Sequence, residues 1–289
     1  MTSTLILRAV CLLAGAAALA ACASTPVGEP QPPTGTSAAA ASSSPPSAPL
    51  TGIAAECGVP QAEGRRVELR TRDRVVLSAI ETGNGRVGVV LLHQLRGGAC
   101  GWWPYAARLA DLGYAVEVPD LRCFGSSTCP DAATASKRHD LDVAAAVERL
   151  GERGATRVVV VGASMGAAVA VEIASQPPEG VVSAIALSPP MSFPVWLPQE
   201  RKVGTAGSLA GDVRIPLLLV TSPGDRDAPP ELVEEFAVQA GQLVRVVRLD
   251  RPGHGWNLLR AGVAGEETWT PVAAQIEQVI AQAAAVPQG

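Results

Sequence analysis

Four consecutive valines, Val158 to Val161, run into Gly162-Ala163-Ser164-Met165-Gly166, and Ala167, Ala168, Val169, Ala170 and Val171 follow without a break. A β-branched apolar run reads as a buried strand, and the alanine-rich stretch after it reads as a helix. Ser164 therefore stands on the turn that joins them. Such a turn is too tight to tolerate bulk two residues before or after the serine, and both positions are glycine. The strain exposes the serine hydroxyl over the sheet edge and aims the following N–H, that of Met165, at the same spot. With 29 glycines in the chain, G-x-S-x-G alone could arise by chance; the strand before it and the helix after it make the pattern specific.

An exposed serine needs a base, and the chain has only three histidines. His139 falls within Lys137 to Leu150, whose apolar residues recur at helical spacing, so it reads as a surface helix residue. His93 ends the strand Val87 to Leu92, upstream of the serine. His254 stands in the glycine-flanked loop Pro252-Gly253-His254-Gly255-Trp256, after the alternating strand Leu243 to Leu249. Between Ser164 and His254, the strand Ile215 to Val220 empties into a Gly/Pro loop, Thr221 to Pro229, that carries Asp225 and Asp227. Asp250 is a third carboxylate close to His254.

From about Arg66 to the C-terminus the chain resembles the α/β-hydrolases, in particular bacterial secreted serine esterases and dienelactone-hydrolase-like proteins. The resemblance rests on the serine turn, on Gly224 to Asp227, on Gly253-His254-Gly255, and on Leu91-Leu92-His93-Gln94-Leu95-Arg96-Gly97-Gly98, which is similar to the family's His-Gly-x-x-Gly loop. It rests also on Val116 to Ser126, similar to the family's apDlRGfGxS segment. The family order of nucleophile, acid and histidine implies Ser164 as nucleophile and His254 as base. The family's spacing selects Asp227 as the orienting acid, with Asp225 in reserve, and places the oxyanion donors on the Met165 and Leu95 backbone N–H groups. Two residues depart from the family pattern: Gln94 and Cys123 each stand where the family has glycine. Dienelactone hydrolases proper use a cysteine nucleophile, so the serine here points to ordinary ester hydrolysis.

Strand patterns over Val67 to Thr71, Val75 to Ile80, Val87 to Leu92, Tyr114 to Val118, Val158 to Val161, Val181 to Leu187, Ile215 to Val220 and Leu243 to Leu249 alternate with helical ones. That alternation predicts one α/β domain over residues 51–289, an α/β-hydrolase fold with a mostly parallel eight-stranded sheet covered by helices on both faces. Ser188 to Arg214 is too short for a large cap domain, so the site should be open, with Met191, Phe193, Trp196 and Leu197 as either packing or an acyl-binding wall. Trp102 and Trp103 pose the same choice, and packing is expected for at least one. Gly83-Asn84-Gly85-Arg86-Val87-Gly88 matches a dinucleotide-binding pattern but leads into a strand rather than a helix. It reads as an Asn-Gly hairpin turn, and no nicotinamide or flavin cofactor is expected.

Residues 1–21 have one basic side chain followed by the apolar stretch Ala9 to Ala21, shorter than a bilayer requires. Leu19-Ala20-Ala21-Cys22 resembles a bacterial lipobox, which implies cleavage before Cys22 and its lipidation. Residues 22–50 then form an Ala/Ser/Pro-rich tether with too little bulk to bury a core. The expected location is the bacterial cell envelope, with the membrane engaged through the N-terminal lipid. Once Cys11 and Cys22 are set aside, Cys57, Cys100, Cys123 and Cys129 remain in an oxidising setting and allow three disulfide pairings. The short separation of Cys123 and Cys129 favours their pairing, leaving Cys57 with Cys100. No close Cys pair and few histidines disfavour a metal. A net charge of −4 with no basic run disfavours nucleic acid. The function expected is hydrolysis of a small-molecule carboxylic ester. The alternatives are a non-catalytic envelope-anchored binding lipoprotein on the same scaffold, or a thioesterase, lactonase or peptidase using the same residues.

Overall fold

The structure is a computed structural model that describes residues 52–58, 63–261 and 268–285. Cys22, the leader and the tether lie outside the described residues. The described residues open with helix α1 (Gly52–Cys57) and the strands β1 (Gly64–Arg70), β2 (Val76–Thr82) and β3 (Val87–Leu92). Helix α2 (Ala99–Asp111), β4 (Ala115–Pro119), α3 (His139–Glu152), β5 (Arg157–Ala163), α4 (Met165–Ser175) and β6 (Val181–Leu187) follow. The hairpin β7 (Pro194–Leu197) and β8 (Lys202–Thr205) precedes β9 (Leu217–Thr221), α5 (Pro230–Ala240) and β10 (Val244–Arg248). A small ribbon, β11 (Arg260–Ala261) and β12 (Thr268–Trp269), leads into α6 (Pro271–Ala285).

Eight strands form the main sheet in the order β1-β2-β4-β3-β5-β6-β9-β10. The β1–β2 and β2–β4 pairs are antiparallel, and every other neighbour pair is parallel. All eight predicted strands are present, each within a few residues of its expected range. The mostly parallel α/β sheet expected from the sequence is therefore the observed fold, and the short hairpin β7–β8 occupies the place where a cap would be inserted.

The valine run shows why the sheet is covered on both faces. Successive side chains of a strand point to opposite sides. Val158 and Val160 join α3 and α4 in one core, whereas Val159 and Val161 join α2 and α6 in the other. None of the four exceeds 2% exposure, so each contributes roughly 1.5–3 kcal/mol of apolar burial, as an upper estimate. Helix α4 is buried along its whole length. Its small residues let it pack closely on β5 and β6, with α3 beside it on the same face of the sheet.

Four expectations need correction or completion. The segment at Asn84-Gly85 is not a hairpin turn: β2 and β3 do not pair, because β4 lies between them. His139 is not on the surface; it opens α3 with its imidazole buried, and burial pushes its pKa down to about 3. Trp102 and Trp103 are both packing residues, each 1% exposed. Of the four residues after β6, Met191 and Leu197 are buried in the core, Trp196 stacks under the Arg138 guanidinium, and only Phe193 reaches the Ser164 cavity.

Both favoured disulfides are present. Cys57–Cys100 ties α1 to α2, and Cys123–Cys129 closes the loop after β4. Cys123 sits at φ 69°, the left-handed region that favours glycine, which is why the related loop carries glycine there.

Candidate active site

Strand β5 delivers Ser164 to the carboxyl edge of the sheet at φ 51°, ψ −114°. This is an unfavourable conformation for a residue with a side chain, and it is held by close contacts. A Cβ on Gly162 would lie 2.0 Å from the Gly166 carbonyl oxygen, and one on Gly166 would lie 2.3 Å from the Leu92 carbonyl oxygen. Both glycines are therefore required for the turn to close. The Ser164 N–H donates to the Leu187 carbonyl at 2.9 Å, anchoring the turn to the end of β6.

Ser164 Oγ lies 2.7 Å from His254 Nε2. On the far side of the ring, His254 Nδ1 lies 2.9 Å from Asp225 Oδ2 and 3.0 Å from Oδ1. With Nδ1 donating to the carboxylate, Nε2 is the acceptor for the serine hydroxyl. The acid selected by the family spacing, Asp227, is not the one that meets the histidine. Its side chain is exposed, whereas Asp225 is buried. The turn folds back so that the N–H groups of Asp227 and Ala228 both donate to Asp225 Oδ1, at 3.1 and 3.0 Å. Asp227 thus supports the acid through its backbone. Asp250 makes no hydrogen bond to His254.

His254 is fixed by the residues around it. Ser222 Oγ donates to the Gly253 carbonyl, and the Gly255 N–H donates to Ser188 Oγ at 3.1 Å. Gly255 adopts φ 57°, and a Cβ there would meet Gln94 Oε1. Trp256 docks on α2, where a side chain at Gly101 would come within 2.1 Å of its ring. Sequence reasoning missed Ser188, Ser222 and Gly101 in these supporting roles. A serine directly after β6 and another directly after β9 are the signals that could have suggested them, because those strand ends face the same edge as Ser164.

Gln94, Leu95, Met165 and Phe193 line one cavity with Ser164 and His254, about 470 Å³ in volume, with Arg226 and Asp227 at its rim. Met165 opens α4, so its N–H is one of the helix's first four and lacks an intrahelical acceptor. His93 shapes the neighbouring loop: its Nδ1 meets the Gln94 carbonyl at 2.9 Å and its Nε2 accepts the Leu121 N–H at 3.0 Å. Complete burial holds the ring neutral by lowering its pKa, so it serves as a brace.

Asp225, Asp227 and His254 also bring three donor atoms within 4.8 Å of one another. His254 Nδ1, however, is held against Asp225 at hydrogen-bond distance and Nε2 against Ser164, so both ring nitrogens are already engaged. The arrangement suits proton transfer along Ser164, His254 and Asp225 better than coordination of a cation.

Comparison with known proteins supports the fold. An esterase from Pyrococcus furiosus superposes with a TM-score of 0.62 at 22% identity, covering 83% of this chain and 99% of that one. An esterase from Exiguobacterium antarcticum gives 0.55 at 15% identity, covering 76% and 99%. The thioesterase domain from the curacin biosynthetic pathway gives 0.55 at 17% identity, covering 76% and 100%. No curated protein matches the chain significantly by sequence. Residues 89–238, just over half of the 289-residue chain, match the alpha/beta hydrolase family. The chain therefore belongs to the alpha/beta hydrolase family.

Proposed function

We propose that the protein is a serine hydrolase that cleaves carboxylic esters of small molecules. The observation that carries this reading is the continuous hydrogen-bonded chain from Ser164 Oγ through His254 to Asp225, with contacts of 2.7 and 2.9 Å. Ser164 Oγ attacks the ester carbonyl carbon while its proton passes to His254 Nε2. Asp225 holds the ring in the tautomer that leaves Nε2 free to accept and stabilises the imidazolium that forms. The Met165 and Leu95 N–H groups receive the negative charge that develops on the carbonyl oxygen. The intermediate then collapses: the carbon–oxygen bond to the alcohol breaks, His254 returns its proton to that alcohol, and the acyl group stays on Ser164. Water, deprotonated by His254, releases the acid by the same route in reverse.

The cavity holds apolar surface from Leu95, Pro190 and Phe193 beside the reacting serine and is open to solvent, which suits an acyl chain of modest size. A panel of p-nitrophenyl esters and acyl thioesters of graded chain length tests the reading. Ester turnover that disappears in Ser164→Ala supports it, and thioesters turned over in preference to every oxygen ester would assign the thioesterase alternative. A non-catalytic binding role would leave the polarised Ser164 without use.

We also propose that the chain is exported and lipid-anchored to the bacterial envelope at Cys22, on the strength of Leu19-Ala20-Ala21-Cys22 closing a short apolar leader. Metabolic labelling with a fatty-acid analogue should be lost in Cys22→Ser. Among the described residues, no helix is long and apolar enough to cross a membrane.

A further inference from the structure

Among the described residues, a second cavity lies away from Ser164 and is larger than the one there. A groove of about 820 Å³ lies between α3 and the C-terminal half of α4, closed at one end by residues 177–180 and by Pro198. Its floor is apolar, built from Leu141, Ala144, Val147, Ile173, Pro177 and Pro198. The volume falls within the range of small-molecule sites.

Two polar side chains at the C-terminal end of α4 line this groove, each with one polar atom left unpaired. Glu172 is 1% exposed, and its Oε1 accepts the Trp196 N–H at 3.2 Å, but its Oε2 has no hydrogen bond. Gln176, which follows the last residue of α4, has its Nε2 buried and likewise unpaired. A buried polar group left unpaired is destabilising, and two at one helix end are unusual enough to need an explanation. Burial, reinforced by the charges of Asp140 and Asp142 against that of Arg138, holds the Glu172 carboxyl protonated well above its ordinary range. With Oε1 accepting from Trp196, Oε2 carries the proton. Both unpaired groups are therefore donors.

The arginines near the groove already have partners. Arg72 pairs with Glu148 at 2.7 Å, and Arg138 pairs with Asp140 at 2.7 Å while stacking on Trp196. Neither arginine is left over to receive an anionic head. Two donors above an apolar floor instead match one acceptor with two lone pairs on an apolar body.

We propose that the groove between α3 and α4 binds an uncharged amphiphile through its carbonyl oxygen, with Glu172 and Gln176 donating to that oxygen and the alkyl body lying on the α3 side. The ligand class is an aliphatic amide, ester or lactone. The site is separate from the hydrolytic one: Glu172 lies eight residues along α4 from Ser164, roughly 12 Å at the α-helical rise. It does not depend on the chemistry proposed for Ser164. It is linked to that cavity through β7, since Trp196 binds Glu172 and Phe193, just before the strand, lines the Ser164 cavity.

Octanamide, which keeps the carbonyl and resists hydrolysis, is the probe. It would be titrated into ¹⁵N-labelled full-length protein carrying Ser164→Ala, with the Trp196 backbone N–H and the Gln176 side-chain amide as reporters. Both resonances should shift together and saturate. Gln176→Leu, at a half-buried position, should weaken binding at least tenfold, and Glu172→Gln, which still presents a donor and an acceptor, should keep it within about threefold. Perturbation confined to Leu95 and Phe193 would place the amide in the catalytic cavity and overturn the proposal. So would undiminished affinity in Gln176→Leu. Tighter binding of octylamine, lost in Glu172→Gln, would assign the groove to cations and overturn it equally. Loss of ester hydrolysis in the parent protein would bear on the Ser164 reading alone.

Discussion

Asp225 Oδ2 lies 2.9 Å from His254 Nδ1, while Asp227, two residues later, turns its carboxylate to solvent and gives only its backbone N–H to Asp225. The loop thus divides the work between two aspartates, one by side chain and one by main chain.

Asp225→Asn should lower ester turnover by about 10⁴-fold with the fold intact, because an amide at this position stabilises the wrong imidazole tautomer. Asp227→Asn should cost less than about tenfold, since the N–H that supports Asp225 is untouched. Steady-state kinetics on protein with unchanged circular dichroism checks this. A dead Asp227→Asn beside an active Asp225→Asn would reverse the assignment.

The serine turn was legible from sequence because strand period, helix composition and two obligatory glycines coincide within a dozen residues, and local sterics allow few alternatives. The eight strands were legible for a similar reason: each is a short apolar run bounded by turn residues. The choice between Asp225 and Asp227 was not, because both lie in one Gly/Pro loop and the outcome depends on the direction in which the turn folds back. His139 was misread because helical periodicity separates the faces of a helix but does not say what covers its first residue. The Asn84-Gly85 turn was misread because β4, later in the chain, inserts between the strands it joins.

The two disulfides should differ in their effect on stability. Cys57–Cys100 closes a separation of 43 residues and Cys123–Cys129 one of 6. Loop-closure entropy then gives about 4 kcal/mol for the first and about 2 kcal/mol for the second. Urea unfolding of the two double-serine variants measures the difference. A larger loss from the short bridge would show that it fixes the loop after β4 by more than entropy.

Stability should fall as pH rises through the neutral range, and Glu117 should account for much of the fall. This residue is fully buried on β4 opposite Glu81, and burial together with the Glu81 charge pushes its carboxyl up to about 8. Between about 4.5 and 8 the unfolded chain has released a proton that the folded chain retains, so rising pH favours unfolding over that window. Relative to Glu117→Gln, the parent should lose on the order of 2–4 kcal/mol between about pH 5 and pH 8. Parallel stability curves for the two proteins would refute it.

The most direct test of the central claim is labelling by a fluorophosphonate, which reacts with a serine only when a neighbouring base activates it. The expected result is stoichiometric modification that peptide mapping places on Ser164, lost in Ser164→Ala and in His254→Ala, together with loss of ester hydrolysis. An unlabelled parent protein, or labelling and turnover that survive Ser164→Ala, would contradict it.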